Sequence, residues 1–573
     1  MGTVLKRIPR IPPVFTGLFA FMWLVNLQHT DSYFGVYILI AVCGLYASVH
    51  QTPERPHHFP CALAAALFSG AIVLSNYSLF SPWSALLNLC NAGCSLLGGW
   101  LVFYSIFAYA LEKLPVVPEP KAHIHPQVVF LGAFAFLSAI YLSYLFLCQY
   151  PGLLSRDSFS TIRQILDGNY NNTMPFWHTK TVEVFFRIGY GIWGEINAAV
   201  CFYMAVQVLF MAACFAYAVT TLYQLGIPLW VVGLVLAGYG VLPYHVVYSV
   251  TLWKDVLFGG AALLMVTALL RILKRIGKQP LNEILFVLGA IGLSLWRTNG
   301  WYALVVTTLL LALLMGKRQK RLLCLLPGVL VFCWILISPV LHFLGVPGTD
   351  FVETLGIPFQ QMARVVATDC PLTEEETHQL SQIFDLELVK EKYDPQTVDP
   401  IKFEALRNRN ALKENFMDYA VLWLRLGLRF PGQYLQAWVE ATKGYWNGGY
   451  EYWIYMYHQE SNDLGILVTD SQNVVASAFR ALFRYLEKPD ILKPLYSIGL
   501  HIWLTIAACL LCVWKRREEW ILTIPILVIV AGLWIGTPVF AEFRYAYPVF
   551  TTIPLILCAT VFHCPSDTQN TPA

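Results

Sequence analysis

Four short stretches bring ionisable side chains to the ends of long apolar runs. YPGLLSRDSFSTIRQILDGNYNNTMPFWHTK carries Asp157 and His178, and YHVVYSVTLWKD ends on Lys254 and Asp255. WRTNGWY holds Arg297 and Asn299, and FAEFRYAY holds Glu542, Arg544 and Tyr545. Cations gathered at the edge of a bilayer suit an anionic lipid headgroup, above all a phosphate or diphosphate. A carboxylate within hydrogen-bond reach of a hydroxyl can act as its general base, and Asp157 is the candidate for that role. Each residue also has a simpler reading. Charges at span ends commonly snorkel to water, Asp157 is placed to cap a helix, and His178 beside Phe176 and Trp177 is suited to plain packing. Lys254-Asp255 stands out because an apolar run follows it at once, where charge is costly unless it is paired or functional; an ion pair with another loop is the structural alternative. Asp157, His178 and Asp255 could together hold a divalent cation (Mg2+ or Mn2+), although no close ligand spacing marks such a site.

The elements that position these groups follow from composition. Of the 573 residues, 57% are hydrophobic and only 13% charged, with a mean hydropathy of +0.57. That is the profile of a polytopic, all-α membrane protein. A net charge of +3 gives no argument for nucleic acid. Most of the fourteen cysteines fall inside apolar runs, so no disulfide framework is expected, and the Cys509-x-x-Cys512 pair reads as core thiols. No phosphate-binding Gly-rich loop is present, which argues against ATP-driven transport.

Apolar runs of spanning length lie near 13–29, 33–50, 60–78, 83–112, 127–149, 196–224, 228–248, 252–273, 281–297, 300–316, 322–345, 495–514, 519–537 and 543–563, which makes about fourteen transmembrane helices. Basic clusters occur at Lys6/Arg7/Arg10, at Arg271/Lys274/Arg275/Lys278, at Lys317/Arg318/Lys320/Arg321 and at Lys515/Arg516/Arg517. Alternating spans from a cytoplasmic N-terminus puts every cluster inside and the four chemical stretches outside. The loop 150–195 then lies on the extracytoplasmic face. Apolar Phe159, Ile162, Ile165 and Leu166 predict a short helix on the membrane surface, starting at Asp157. The long polar segment 346–494 predicts a small external helical domain resting on the membrane.

The ordered set YPGLLSRDS, PFWHT, TLWKD, WRTNG and EFRYAYP resembles an uncharacterised family of bacterial polytopic membrane proteins. That family is placed within the GT-C superfamily of lipid-dependent glycosyltransferases, near protein O-mannosyltransferases and aminoarabinose transferases. The resemblance covers roughly 145–345 and 495–563. It implies a division into an N-terminal four-helix extension (1–126), a GT-C-like core (127–345), an external helical domain (346–494) and closing membrane helices (495–573). It further implies an inverting transfer of a sugar from a polyprenyl-phosphate donor to an extracytoplasmic glycan, lipid or protein of the cell envelope. Asp157 would serve as base, and Lys254, Arg297 and Arg544 would bind the lipid phosphate, with His178, Asp255, Asn299 and Tyr545 around them. The chain departs from that pattern in two places. Arg156-Asp157-Ser158 stands where many members have two adjacent acids, which bears on any metal, and Trp177-His178-Thr179 stands where His-Pro is common. A transporter or flippase for a lipid-linked saccharide is the competing expectation.

Overall fold

The computed structural model describes residues 12–27, 34–50, 58–76, 85–113, 124–172, 174–315, 320–348, 351–450, 452–456, 461–467, 471–537 and 539–562. Among these residues the secondary structure is helical, with only isolated β-bridges besides. The described part of every apolar run read from the sequence is mainly helical. Six helices are long and apolar enough to cross a bilayer alone, and up to eight spans result if each of two bent pairs counts as one. The protein is therefore an all-helical, multi-pass membrane protein. One bend, of 53°, lies between Leu229–Val241 and Pro243–Ser249. Pro243 occupies the first turn of the second piece, where its missing N–H costs nothing.

Lys254–Leu273 is the central helix, with 89% of its apolar window buried. It packs on Ile196–Gln224, Gln279–Leu295 and Phe543–Val561. Its contact with Phe543–Val561 depends on Gly259: a Cβ there would meet Tyr547 Cδ1 at 2.6 Å. The Thr551 hydroxyl donates to the Gly259 carbonyl at 3.0 Å and fixes the same pair of helices. Together these contacts set the register that brings the start of Phe543–Val561 beside Lys254.

The two ends of the bundle differ in chemistry. A helix of this length spans about 30 Å, so Arg271 and Lys274 lie far from Lys254. At their end Lys274 Nζ is 3.0 Å from Glu519 Oε1, and Arg517 Nη2 is 2.7 Å from the same oxygen. Arg517 also donates to the carbonyls of Thr560 and Ala559. Arg321 approaches Glu283 at 3.8 Å. Basic loops expected on a common side thus do meet at one end. Lys6, Arg7, Arg10, Lys317 and Arg318 lie outside the described residues.

Two expectations need revision. The surface helix in 150–195 is present as Arg156–Asp167, but its N-cap is Ser155, not Asp157. A second helix, Phe176–Trp193, follows it and was not expected, because three charges interrupt its apolar pattern. Those charges pair along the helix: Glu183 takes Lys180 at 2.7 Å and Arg187 at 2.6 Å. The segment 346–494 also divides. Val352, Phe359, Leu380, Phe384, Ile401, Leu422 and Tyr434 belong to a separate small core, whereas Val439, Tyr445, Trp446 and Tyr496 join the main one. Buried Asn447 explains the attachment. It bonds to Tyr37 and, at 2.6 Å, to Ser75, both in the N-terminal helices.

Candidate active site

The site begins with a short splice between the loop 150–195 and the turn before the central helix. Leu153 N donates to the Val250 carbonyl at 2.8 Å, and Leu252 N donates back to the Leu153 carbonyl at 3.0 Å. Side chains lock the same joint. Trp253 Nε1 donates to Ser155 Oγ at 2.8 Å, and the Ser158 hydroxyl donates to the Leu252 carbonyl at 2.8 Å. From below, buried Gln207 donates through Nε2 to the carbonyls of Ser249 (3.0 Å) and Thr251 (2.9 Å). The motif around Asp157 and the motif ending in Lys254-Asp255 are therefore a single rigid unit.

With Ser155 as the cap, the Asp157 carboxylate has no capping duty. Its Oδ2 accepts from Arg544 Nη1 at 2.8 Å and lies 3.8 Å from Lys254 Nζ. Burial works to raise its pKa, but the charges of Lys254, Arg544 and Arg297 prevail and hold the carboxyl below its ordinary value. Lys254 Nζ has Met174 Sδ at 3.6 Å on its other side. Asp157 at 3.8 Å is beyond hydrogen-bond range and a thioether is a weak acceptor, so this ammonium has hydrogen-bonding capacity to spare.

Arg297 and Asp255 form the second layer. Gly300 makes the turn that delivers Arg297, since a Cβ there would lie 1.8 Å from the Leu293 carbonyl oxygen. Arg297 donates through Nη1 to Asp255 Oδ1, and Asp255 is fully buried. The Arg297 guanidinium also lies 4.2 Å from the centre of the Tyr545 ring, and Arg544 lies 5.3 Å from both Tyr545 and Trp253. The aromatic faces supply a cation-binding wall.

Of the residues singled out in the sequence, Asp157, Lys254, Asp255, Arg297, Arg544 and Tyr545 come together. His178 lies nearby, 1% exposed, and among the described residues neither ring nitrogen has a hydrogen bond. Burial, aided by the charge on Lys254, pushes its pKa down to about 3, so it is neutral. Asn299 is exposed, and among the described residues no hydrogen bond ties it to the cluster. Two further residues join the cluster: Trp253, which the sequence did not single out, and Glu542, which it named without a role. Trp253 supplies the floor beneath Arg544. Glu542 supplies a second carboxylate, whose Oε1 lies 3.1 Å from Arg544 Nε. In the sequence it stood out only as one of the ionisable groups of FAEFRYAY, two residues before Arg544 and ahead of the helix that starts at Phe543.

Residues 169–572 match the family of unknown function DUF6020. The chain belongs to that family. The matched stretch takes in Lys254, Asp255, Arg297, Glu542 and Arg544; Asp157 and the N-terminal helices precede it. No curated protein and no solved structure matches the chain.

The residues of this DUF6020 member do not fit a divalent cation. Among the described residues no group of three or more His, Cys, Asp or Glu is arranged to hold a metal. Asp157 and Asp255, two of the three ligands expected, are each committed to a guanidinium. Hard cations need several oxygens converging on one point, and here ammonium and guanidinium groups occupy that position.

Proposed function

We propose that this protein is a membrane glycosyltransferase of the GT-C type, moving a sugar from a polyprenyl-phosphate donor to an extracytoplasmic acceptor. The observation that carries the proposal is the meeting of Lys254, Arg297 and Arg544 at one end of the bundle. Three separate helical segments bring them there, where Asp157, Asp255 and Glu542 hold the two guanidinium groups and, among the described residues, Lys254 has no carboxylate within hydrogen-bond range. The side chains of Lys254, Arg544 and Asp157 remain 18%, 19% and 33% exposed, so the cluster is open to a ligand. A lipid phosphate is the anion that such a cluster at the bilayer edge would receive. When the sugar leaves it, the developing charge on phosphate is met by donors already in place.

The family resemblance implies a catalytic role for Asp157. With its oxygen engaged by Arg544 and its pKa lowered, its first task is to hold Arg544 and Lys254 in position. A flippase would instead place charge near the bilayer midplane, but the central helix carries ionisable residues only in its first and last turns.

The test uses the purified protein in lipid nanodiscs with a panel of undecaprenyl-phosphate-linked hexoses and pentoses, without any gradient. Transfer predicts donor consumption with release of undecaprenyl phosphate, at a rate that collapses in Lys254→Ala. A protein that consumes none of the donors and binds undecaprenyl phosphate no better than the Lys254→Ala/Arg297→Ala/Arg544→Ala variant overturns the reading.

A further inference from the structure

We infer that the indole of Trp453 is the platform on which the sugar of the lipid-linked donor stacks. This rests on the transfer reading above, and it gives the sugar a place where that reading gives one only to the phosphate.

Trp453 is tied to the cation cluster through a single ring. Arg544 lies 5.3 Å from the centre of the Trp253 ring, and the centre of the Trp453 ring lies 5.9 Å from that of Trp253. The two indoles meet edge to face at 64°, so their contact uses at most one face of Trp453. Trp253 is buried, whereas Trp453 is 54% exposed. The pair therefore leads outward from the phosphate-binding guanidinium, from a buried indole to an open one.

The stretch that carries Trp453 is pinned on both sides of it, as a binding platform must be. The Tyr248 hydroxyl donates to the Ile454 carbonyl at 2.6 Å, and the same Tyr248 ring meets Trp253 edge to face at 5.2 Å. On the other side the Tyr452 hydroxyl accepts from the Ile498 N–H. Tyr455 and Met456, next along, are buried in the main core. Upstream, Tyr445 accepts from the Glu542 N–H at 2.9 Å and donates to the Val539 carbonyl at 3.1 Å, which ties the segment to the turn bearing Arg544. Of residues 452–456 only Trp453 is exposed. Its large apolar ring is thus held out beside the site by neighbours that are themselves fixed.

The open face suits a sugar. An indole presents a negative π-face, and the C–H bonds of a pyranose, polarised by the oxygens beside them, turn a weakly positive apolar side towards it. Tryptophan supplies this area with only two side-chain torsions to fix. Position separates the sugar from the lipid. The prenyl chain runs from the phosphate into the bilayer, and the sugar points away from it. Trp253 precedes the first turn of the central span, and Trp453 lies outside the apolar spanning helices, so both rings are on the sugar's side. The sugar is joined to the phosphate through one oxygen, which brings the sugar of a donor held by Arg544 to these rings.

The experiment compares wild type, Trp453→Ala and Trp453→Phe as full-length protein in nanodiscs. It reads the affinity for bare undecaprenyl phosphate, the affinity for undecaprenyl-phosphate-linked hexoses, donor KM and kcat. Trp453→Ala is expected to weaken binding of the sugar-linked lipid and to raise donor KM, each by about two- to tenfold. Its affinity for bare undecaprenyl phosphate should stay at the wild-type value, which also shows that the variant is folded. Lost stacking is lost uniform binding, so kcat should hold. Trp453→Phe keeps a ring and should recover part of the loss. The inference is overturned if Trp453→Ala binds the sugar-linked lipid as wild type does. It is also overturned if both variants lose affinity for bare and sugar-linked lipid alike, as an interfacial anchor or a contact to the prenyl chain would require. A wild-type protein that consumes no donor and binds undecaprenyl phosphate no better than the triple alanine variant removes this role together with the transfer reading. An active wild type with an unaffected Trp453→Ala removes this role alone.

Discussion

Arg544 lies 387 residues beyond Asp157 in the chain and donates to its Oδ2 at 2.8 Å. The bond joins Arg156–Asp167, the first helix of the loop 150–195, to Phe543–Val561, the last described helix of the bundle. It is formed across an open edge of the protein, so its worth depends on what else the guanidinium does. Arg544 also meets Glu542 through Nε and stacks near Trp253, which no single-point cation could do at once.

Replacing Arg544 by lysine keeps the charge and loses the fork. Lysine cannot reach Asp157 and Glu542 in the two directions that Nη1 and Nε define. We expect Arg544→Lys to weaken undecaprenyl phosphate binding by about tenfold, or about 1.4 kcal/mol. Arg544→Ala should weaken it by a further factor of about ten, since Asp157 is left facing the phosphate unneutralised. Titration of the labelled lipid into nanodisc-embedded protein measures both. Equal affinities for the lysine variant and wild type would show that charge alone suffices.

The two acids predict opposite effects of pH on stability. Asp157 has a folded pKa below its unfolded value of about 3.9, so its contribution is present above that pH and lost as pH falls through the folded value. Glu542 has a folded pKa above its unfolded value of about 4.3, so its contribution is full below that pH and lost as pH rises through the folded value. Asp157→Asn should therefore be less stable than wild type at neutral pH and converge on it in acid. Glu542→Gln should gain on wild type as pH rises past about 4.3. Thermal unfolding in detergent across this range checks the sign of each, and curves that shift together would contradict the assignment.

How much of this could be read from the sequence varies with the kind of signal. The apolar helices were legible because bilayer thickness imposes a length on apolar runs, although six to eight of the fourteen expected spans are long and apolar enough to cross, and the loops containing Asp157, Lys254 and Arg544 were grouped by nothing more than alternation. The partner of Asp255 was legible only as a class: an ion pair with another loop was one of the readings, and Arg297 is that partner. Ser155 was passed over as the cap because Asp157 caps as well in principle, and only the backbone decides between them. Phe176–Trp193 was missed because its charges cancel one another along one face, which no hydropathy average reveals. Glu542 was passed over in favour of its neighbours because its role depends on where Arg544 points, a long-range fact.

The Arg297–Asp255 pair should behave as a buried ion pair. Asp255 is 0% exposed, and its Oδ2 has no hydrogen bond among the described residues, so Arg297 is the charge that balances it. Removing only the arginine leaves an uncompensated buried carboxylate. Arg297→Met is expected to cost about 3–5 kcal/mol, and the double variant Arg297→Met/Asp255→Leu should recover most of that loss. Unfolding in detergent, followed for both variants, tests the coupling; a double variant no more stable than the single one would place the cost elsewhere.

Gln207 offers a test of the splice itself. It is buried in Ile196–Gln224 and bonds to no charged side chain of the site among the described residues, yet its amide holds the carbonyls of Ser249 and Thr251 while Tyr203 donates to its Oε1 at 3.0 Å. Leucine fills a similar volume and can satisfy none of these. Each buried polar group left unpaired costs about 1–3 kcal/mol, so the turn before Lys254 must either strain or move. If the splice positions Lys254 against Asp157, Gln207→Leu should lower transfer by at least about tenfold through a raised donor KM, since a displacement of one ångström in a binding group is costly. It should also lower the unfolding temperature. A variant that loses stability but keeps wild-type KM would show that the site holds its shape without this support, and that the backbone bonds between Leu153, Val250 and Leu252 are sufficient.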